Sequence, residues 1–340
     1  MSRASPGMPG PVSTIVPVHN RPALVKEAVA SVMAQTYRRI EVVIVDDGST
    51  DETPTVCAAL AREHPDVVRV VRIENSGPGL AREAGRQLAR GEYVQYLDSD
   101  DLLHPVRFER LVAALEASPE AGAAYSTTRE YPIGQAPTAT PTARTGERME
   151  TLFPHLLSGR CWRTLSPLYR RSTTDAVGPW SGLRQEEDWE YDARVAALGT
   201  RLVWCPEILA DVRSHAGGRA GGGSLDDAVR MRSRVTAHQL IYRHARRFGI
   251  GPDDPHMRHF ARRLFLLARQ CGACGLSLES HELFELAREA SGAAGDGLEF
   301  RLYGAAAGIF GWRAMGRLAC WTDRFRSTEP GAARCGFSAS

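Results

Sequence analysis

Tyr93-Val94-Gln95-Tyr96-Leu97-Asp98-Ser99-Asp100-Asp101 is an apolar run that ends abruptly in aspartates. An earlier run, Ile40 to Val45, ends the same way, in Val45-Asp46-Asp47-Gly48-Ser49-Thr50-Asp51. Short apolar runs bounded by turn residues read as buried strands. If the later strand stays extended through Asp100, the side chains of Asp98 and Asp100 share a face, about 7 Å apart at Cα. Two like charges at that spacing repel by roughly 2 kcal/mol at an effective dielectric of about 20. A bound divalent cation reverses that penalty. Helix capping accounts for Asp101 alone, ahead of Leu102 and Pro105.

Around these two turns, strand and helix patterns alternate from Val12 to Tyr125, the rhythm of a mostly parallel sheet flanked by helices. Val12 to Val18 reads as a buried strand. Asn20 and Pro22 then start a helix whose apolar positions Leu24, Val25, Ala28, Val29 and Val32 recur at helical spacing. Strands at Ile40 to Val45, Val67 to Ile73 and Tyr93 to Leu97 follow, with helices after Asp51 and from Leu80 to Ala89. Both acidic turns therefore fall at carboxyl ends of strands, where open α/β sheets bind ligands. A dinucleotide site would need G-x-G-x-x-G after the first strand. That position holds Pro17-Val18-His19-Asn20, so the oxidoreductase reading loses its main support.

Further on, the proline- and threonine-rich residues 135 to 146 read as an exposed loop, Leu165 to Tyr169 and Leu202 to Cys205 as later strands, and a helix starts near Glu187. Gly217 to Gly223 holds five glycines and separates a first domain, 11–224, from a helical C-terminal region, 225–326. Helical patterns cover 226–248, 256–271, 280–291 and 299–325. The ends, 1–10 and 327–340, are expected to be disordered.

The 340 residues carry 42 basic and 40 acidic side chains, a net charge of +2 that gives no sign of a nucleic-acid partner. Seven scattered cysteines fit a reducing cytosol. Cys271-Gly-Ala-Cys274 has zinc spacing but lacks a second pair of ligands. Met1 to Pro11 has no apolar signal segment, and no 18-residue uncharged apolar stretch suggests a spanning helix, so a cytoplasmic protein is expected.

Taken in order, Val12 to Asn20, Val45 to Asp51, Gly77 to Gly85, Asp98 to Asp101 and Glu187-Asp188 resemble family 2 glycosyltransferases, which have the GT-A fold, over about residues 11 to 216. Leu168-Tyr169-Arg170-Arg171 and Val177-Gly178-Pro179-Trp180 fit the same approach to Glu187. The resemblance implies a nucleotide-sugar donor, a UDP-sugar by default, and Mn2+ or Mg2+ held by Asp98 and Asp100 on its diphosphate. It further implies that Asp47 and the segment Pro17, His19, Asn20 wall the nucleotide pocket, that Arg82 contacts the donor with Asp98, and that Asp188 is the general base of an inverting transfer. Glu83 stands where the family usually has asparagine. Arg213-Ser214-His215 resembles the family's late segment whose histidine completes the metal shell, making His215 a third ligand. Trp180 and Trp189 flank the base and either stack on a sugar or pack internally. The absence of Gln-x-x-Arg-Trp after Glu187 favours transfer of a single sugar over processive synthesis.

The acceptor is expected to be a saccharide, a lipid-linked molecule or a small molecule. Leu302 to Trp321 is apolar but interrupted by Arg313 and Arg317, with Arg301, Arg324 and Arg326 at its flanks. Residues 299–326 thus read either as an interfacial helix making peripheral membrane contact at the inner face or as a helix packed on the protein with arginine stems over apolar surface. Two other functions use a similar sheet: a nucleotidyltransferase, which usually has a glycine-rich basic first loop not present at Pro17 to Asn20, and a non-catalytic nucleotide-sugar binder.

Overall fold

The computed structural model describes residues 9–214 and 228–326. Contacts divide the chain into two units, the first within Met1–Leu152, Arg160–Gly182 and Arg194–Ala216, the second within Phe153–Gly159, Leu183–Ala193 and Gly217–Ser340.

In the first unit, β1 (Val12–Val18), α1 (Pro22–Met33), β2 (Ile40–Asp47), α2 (Thr53–Glu63), β3 (Val68–Ile73), α3 (Pro78–Leu88) and β4 (Tyr93–Tyr96) alternate. Each of the three helices has proline in its first turn, where φ is already helical and the missing N–H costs no bond. There follow β5 (Leu102–Leu103), α4 (Arg107–Ala117), β6 (Ala121–Pro132), β7 (Pro167–Arg170), α5 (Arg171–Val177), α6 (Glu187–Ala197), whose first residues are counted with the second unit, and β8 (Arg201–Ser214). The strands form one sheet in the order β3-β2-β1-β4-β7-β6-β8-β5. Parallel pairing joins β3, β2, β1 and β4, and also β6 with β8; β7 runs antiparallel to both its neighbours. Val16, Val42 and Ile44 of the sheet pack with Val25, Val29, Phe108 and Leu111 of the helices in the main core.

At the centre of this unit Arg107 is fully buried. Its guanidinium donates to Gln95 Oε1 (3.2 Å), Ser126 Oγ (2.7 Å) and the carbonyls of Leu165 and Ser166 (both 2.7 Å), tying β4, β6 and the chain before β7 together. Burial pulls its pKa down to about 9.

Three local expectations are revised. β4 ends at Tyr96, and Asp98 to Asp101 is a turn in which Asp101 N donates to Asp98 O at 3.0 Å, so the aspartates do not line one strand face. Asp101 caps no helix, since α4 starts only at Arg107 behind Val106; its carboxylate instead accepts from Arg213 N at 2.9 Å. In the loop 135–146 the residues through Pro141 are exposed, but Thr142 and Thr145 are buried, and Thr145 Oγ1 accepts from Thr128 N at 3.0 Å.

The second unit contains α7 (Ala228–Arg247), α8 (Pro255–Ala273), α9 (Ser277–Ala290), α10 (Leu298–Phe310) and α11 (Trp312–Arg326). The single helical pattern over 299–325 is two helices, broken at Gly311, whose φ of +85° favours glycine. Helices α8 and α11 meet backbone to backbone: a Cβ on Gly272 would lie 2.5 Å from Trp312 O, and one on Gly316 2.4 Å from Ala273 N. Among the described residues no helix is long and apolar enough to cross a membrane, and no disulfide joins two of the six described cysteines.

Candidate active site

Because β1, β2 and β4 are parallel neighbours, their carboxyl ends bring Pro17, His19 and Asn20, then Asp46 and Asp47, then Asp98 to one edge of the sheet. The two loops after β1 and β2 are bound to each other. His19 Nδ1 donates to Asp47 O at 2.7 Å, Asn20 N donates to Ser49 Oγ at 3.0 Å, and Asn20 Oδ1 accepts from Thr50 N at 2.8 Å. Asn20 takes the left-handed φ of +52° that asparagine tolerates better than most residues. Pro17 is buried in β1 opposite Val45.

Asp47 is 5% exposed, and its carboxylate accepts from Ser76 N (2.6 Å) and Gly77 N (2.9 Å), the amides that lead into α3. Gly48 sits against this junction with φ +69°; a Cβ there would lie 2.7 Å from Asn75 N.

Two acids of the second turn are each matched by a guanidinium. Arg82, buried on α3, donates from Nη2 to Asp98 Oδ1 at 2.7 Å, and Arg21 Nη1 lies 2.8 Å from Asp100 Oδ2. Asp98 keeps a third of its side chain exposed, Asp100 less. Burial disfavours the charged form of Asp98, but the guanidiniums of Arg82, Arg21 and Arg160 outweigh it and hold the carboxyl below its ordinary range. From the far end of β8, Arg213 donates to the carbonyl of Asp100 and pairs with Glu27, fixing the turn from behind. His215 lies outside the described residues, and among the described residues no group of three acids, histidines or cysteines is arranged to hold a metal.

Arg82 is itself positioned. Its guanidinium lies 4.9 Å from the ring centre of Trp180, which meets Tyr96 edge-on at 5.0 Å. Glu83, the departure from the family's asparagine, explains the arrangement. Its carboxylate accepts from Arg86 Nε and Nη2 (both 2.9 Å), Gln87 Nε2 (3.0 Å) and the main-chain N of Trp180 (3.2 Å). Burial works against that charge, yet the Arg86 hydrogen bonds keep its pKa low. Trp180 therefore packs on an arginine and is only 4% exposed, and Trp189 is 2% exposed, so neither presents a face to a sugar.

Asp188 belongs to the second unit, in the first turn of α6, where the helix dipole favours a carboxylate. It is partly exposed and accepts from Trp189 N at 2.8 Å. Just before it, Glu186 has a left-handed φ of +59° and is held by α7, with Arg234 Nε at 3.1 Å and His238 Nδ1 at 3.0 Å. His238 is nearly fully buried, edge-on to Trp189 and stacked on Phe260.

Sequence reading did not single out Arg21, Glu27, Glu186 or His238. Arg21 alone had a local signal, as a cation directly after His19-Asn20. The other pairings join positions far apart in the chain.

Residues 13–190 match the family model Glycosyl transferase family 2. The chain belongs to glycosyltransferase family 2. Its relatives include an uncharacterized glycosyltransferase of Nostoc sp. (strain PCC 7120), 33% identical over 208 residues, which is 60% of this chain and 61% of that one. The succinoglycan biosynthesis protein ExoO of Rhizobium meliloti is 39% identical over 109 residues, 32% of this chain and 30% of ExoO. The family 2 chain thus aligns with about three fifths of the Nostoc protein and a smaller share of ExoO. Among solved structures, residues 1–349 of S. aureus TarS superpose with a TM-score of 0.65 at 18% identity, over 93% of this chain and 92% of that one, which shows the GT-A fold. The same TarS segment has been solved with UDP-GlcNAc.

Proposed function

We propose that this family 2 glycosyltransferase moves a single sugar from a nucleotide-diphosphate donor, by default a UDP-sugar, to an acceptor hydroxyl with inversion at the anomeric carbon. The observation that carries this reading is the pairing of Asp98 with Arg82 and of Asp100 with Arg21 beside the carboxyl ends of β1, β2 and β4. Planar guanidiniums suit diphosphate oxygens, which they can meet bidentately. The fold shared with TarS, which binds UDP-GlcNAc, supports the choice of nucleotide. ExoO, named for succinoglycan biosynthesis, supports a saccharide acceptor in polysaccharide assembly; lipid-linked and small-molecule acceptors suit the same chemistry.

In this mechanism the wall formed by Pro17, His19, Asn20 and Asp47 takes the nucleoside. Asp188 accepts the proton of the acceptor hydroxyl while that oxygen bonds to the anomeric carbon, a contribution of about 10²- to 10⁴-fold in rate. The bond from that carbon to the diphosphate breaks with its electron pair left on the diphosphate, where Arg82 and Arg21 meet the new charge. Attack from the side opposite the leaving group gives inversion. Asp98 and Asp100 offer two hard carboxylates from one turn, a donor set that fits Mn2+ or Mg2+ when phosphate oxygens complete the shell. Bound there, the cation would stabilise charge on the departing diphosphate.

The test is a panel of nucleotide sugars with Mn2+, read by release of nucleoside diphosphate. Wild type is expected to turn over one of them, a chelator to stop it, and Asp188→Asn to lose turnover while keeping donor affinity. Asp100→Ala is expected to weaken donor binding as well. Full turnover by Asp188→Asn, or release of pyrophosphate instead of nucleoside diphosphate, would overturn the reading.

A further inference from the structure

Helix α10 is apolar on two opposite sides, with Glu299 and Arg301 between them. Taking 100° per residue, Phe300, Tyr303, Gly304 and Ala307 fall on one side and Leu298, Leu302, Ala305 and Ile309 on the other. The first side is packed: Phe300 lies 5.0 Å from Phe265, and Tyr303 5.1 Å from the same ring. The second side is bare. Leu302 is 61% exposed, Ile309 77% and Phe310, which closes the helix, 69%. A helix with apolar residues on two opposite faces is ordinarily covered on both, by protein or by lipid.

Helix α11 repeats the pattern. Gly316 and Ala319 are buried, while Ala314, Leu318 and Trp321 face outward, with Trp321 58% exposed. Arg313 and Arg317, both exposed, lie along one flank of that outward face. From Phe300 to Thr322 the sequence holds three arginines and no acid. Six of the fourteen large apolar side chains found exposed among the described residues lie between Leu298 and Trp321. Such a concentration is unlike the scattered single exposures of ordinary surfaces.

We propose that the outward faces of α10 and α11 dock on an anionic phospholipid surface. Leu302, Ile309, Phe310, Leu318 and Trp321 would enter the boundary between headgroups and acyl chains, and Arg301, Arg313 and Arg317 would meet lipid phosphates. Charge selects this occupant. Two copies of the chain apposed through these faces would bring arginines against arginines with no acid from 300–322 to offset them, whereas a lipid surface supplies the missing negative charge. No helix of the second unit needs to cross the bilayer for this contact, which is made in the plane of the surface.

The experiment is sedimentation of the full chain with vesicles of phosphatidylcholine alone or with added phosphatidylglycerol. Wild type is expected to pellet only with the anionic vesicles, and less as salt is raised. Leu302→Glu/Ile309→Glu is expected to lower the partition coefficient by about tenfold or more, and Arg313→Gln/Arg317→Gln to remove the preference for anionic lipid. All these side chains are exposed, so unchanged melting curves are expected to accompany the loss. Failure of wild type to sediment with anionic vesicles, equal sedimentation of the variants, or a dimer in light scattering that Leu302→Glu/Ile309→Glu converts to monomer would each overturn the proposal.

Discussion

Glu186 Oε2 lies 3.0 Å from His238 Nδ1, so the residue two before Asp188 is anchored to the middle of α7. Burial alone would raise the carboxyl pKa of Glu186, but His238 and then Arg234 reverse the effect and bring it down to about 2. The native state therefore keeps this carboxylate ionised at acidities where the unfolded chain, with a pKa of about 4.3, has already bound a proton. Its contribution to stability is full above roughly pH 5 and is lost as pH falls toward 2. Urea melts of wild type and Glu186→Gln should differ clearly at neutral pH and converge in acid.

Arg82 joins the first unit's acidic turn to Trp180, so its loss has a chemical and a structural part. Arg82→Ala leaves Asp98 without its 2.7 Å partner and removes the cation from the indole face. Transfer efficiency, measured as kcat/KM for the donor, is expected to fall by about 10²-fold or more, the cost of one charge-stabilising donor. Arg82→Lys restores the charge but not the planar fork, and is expected to recover only part of it.

Arg107 has no carboxylate partner among its hydrogen bonds, which all go to neutral oxygens. Arg107→Met fills similar space but leaves two carbonyls, a hydroxyl and an amide oxygen in the core with fewer donors. A loss of about 3 kcal/mol is expected from urea denaturation, since each buried acceptor left unpaired costs about 1–3 kcal/mol and relaxation recovers some of it.

Gly316 and Gly272 let the backbones of α8 and α11 come close. Gly316→Val must push the helices apart, and a destabilisation of about 1–3 kcal/mol is expected in thermal or urea melts. An exposed alanine of the same helix, Ala314→Val, gives the control and should change stability by less than about 0.5 kcal/mol.

How far the sequence could be read depended on the range of the interactions. The β1 to β4 half was legible because each strand is a self-contained apolar run with punctuation at both ends, and the two acidic turns are that punctuation. Strand β6 was not: Ala121 to Tyr125 is short on β-branched residues, and it is extended by pairing with β8 some 80 positions away. The shape of Asp98 to Asp101 escaped for the same reason, because Arg213 sets it from β8. Glu83 looked like a defect in a donor motif and is instead the anchor for Arg86 and Trp180, a role that depends on a partner 97 residues distant. The break at Gly311 was visible as a residue type, but not as a left-handed turn between two helices.

The amides of Ser76 and Gly77 are taken by Asp47. If this loop takes the nucleoside as proposed, being fastened in advance it loses little entropy when the nucleotide arrives. Capture should then run as a lock meeting a finished key, with association rates governed by diffusion and charge steering and nearly indifferent to solvent viscosity beyond the diffusive term.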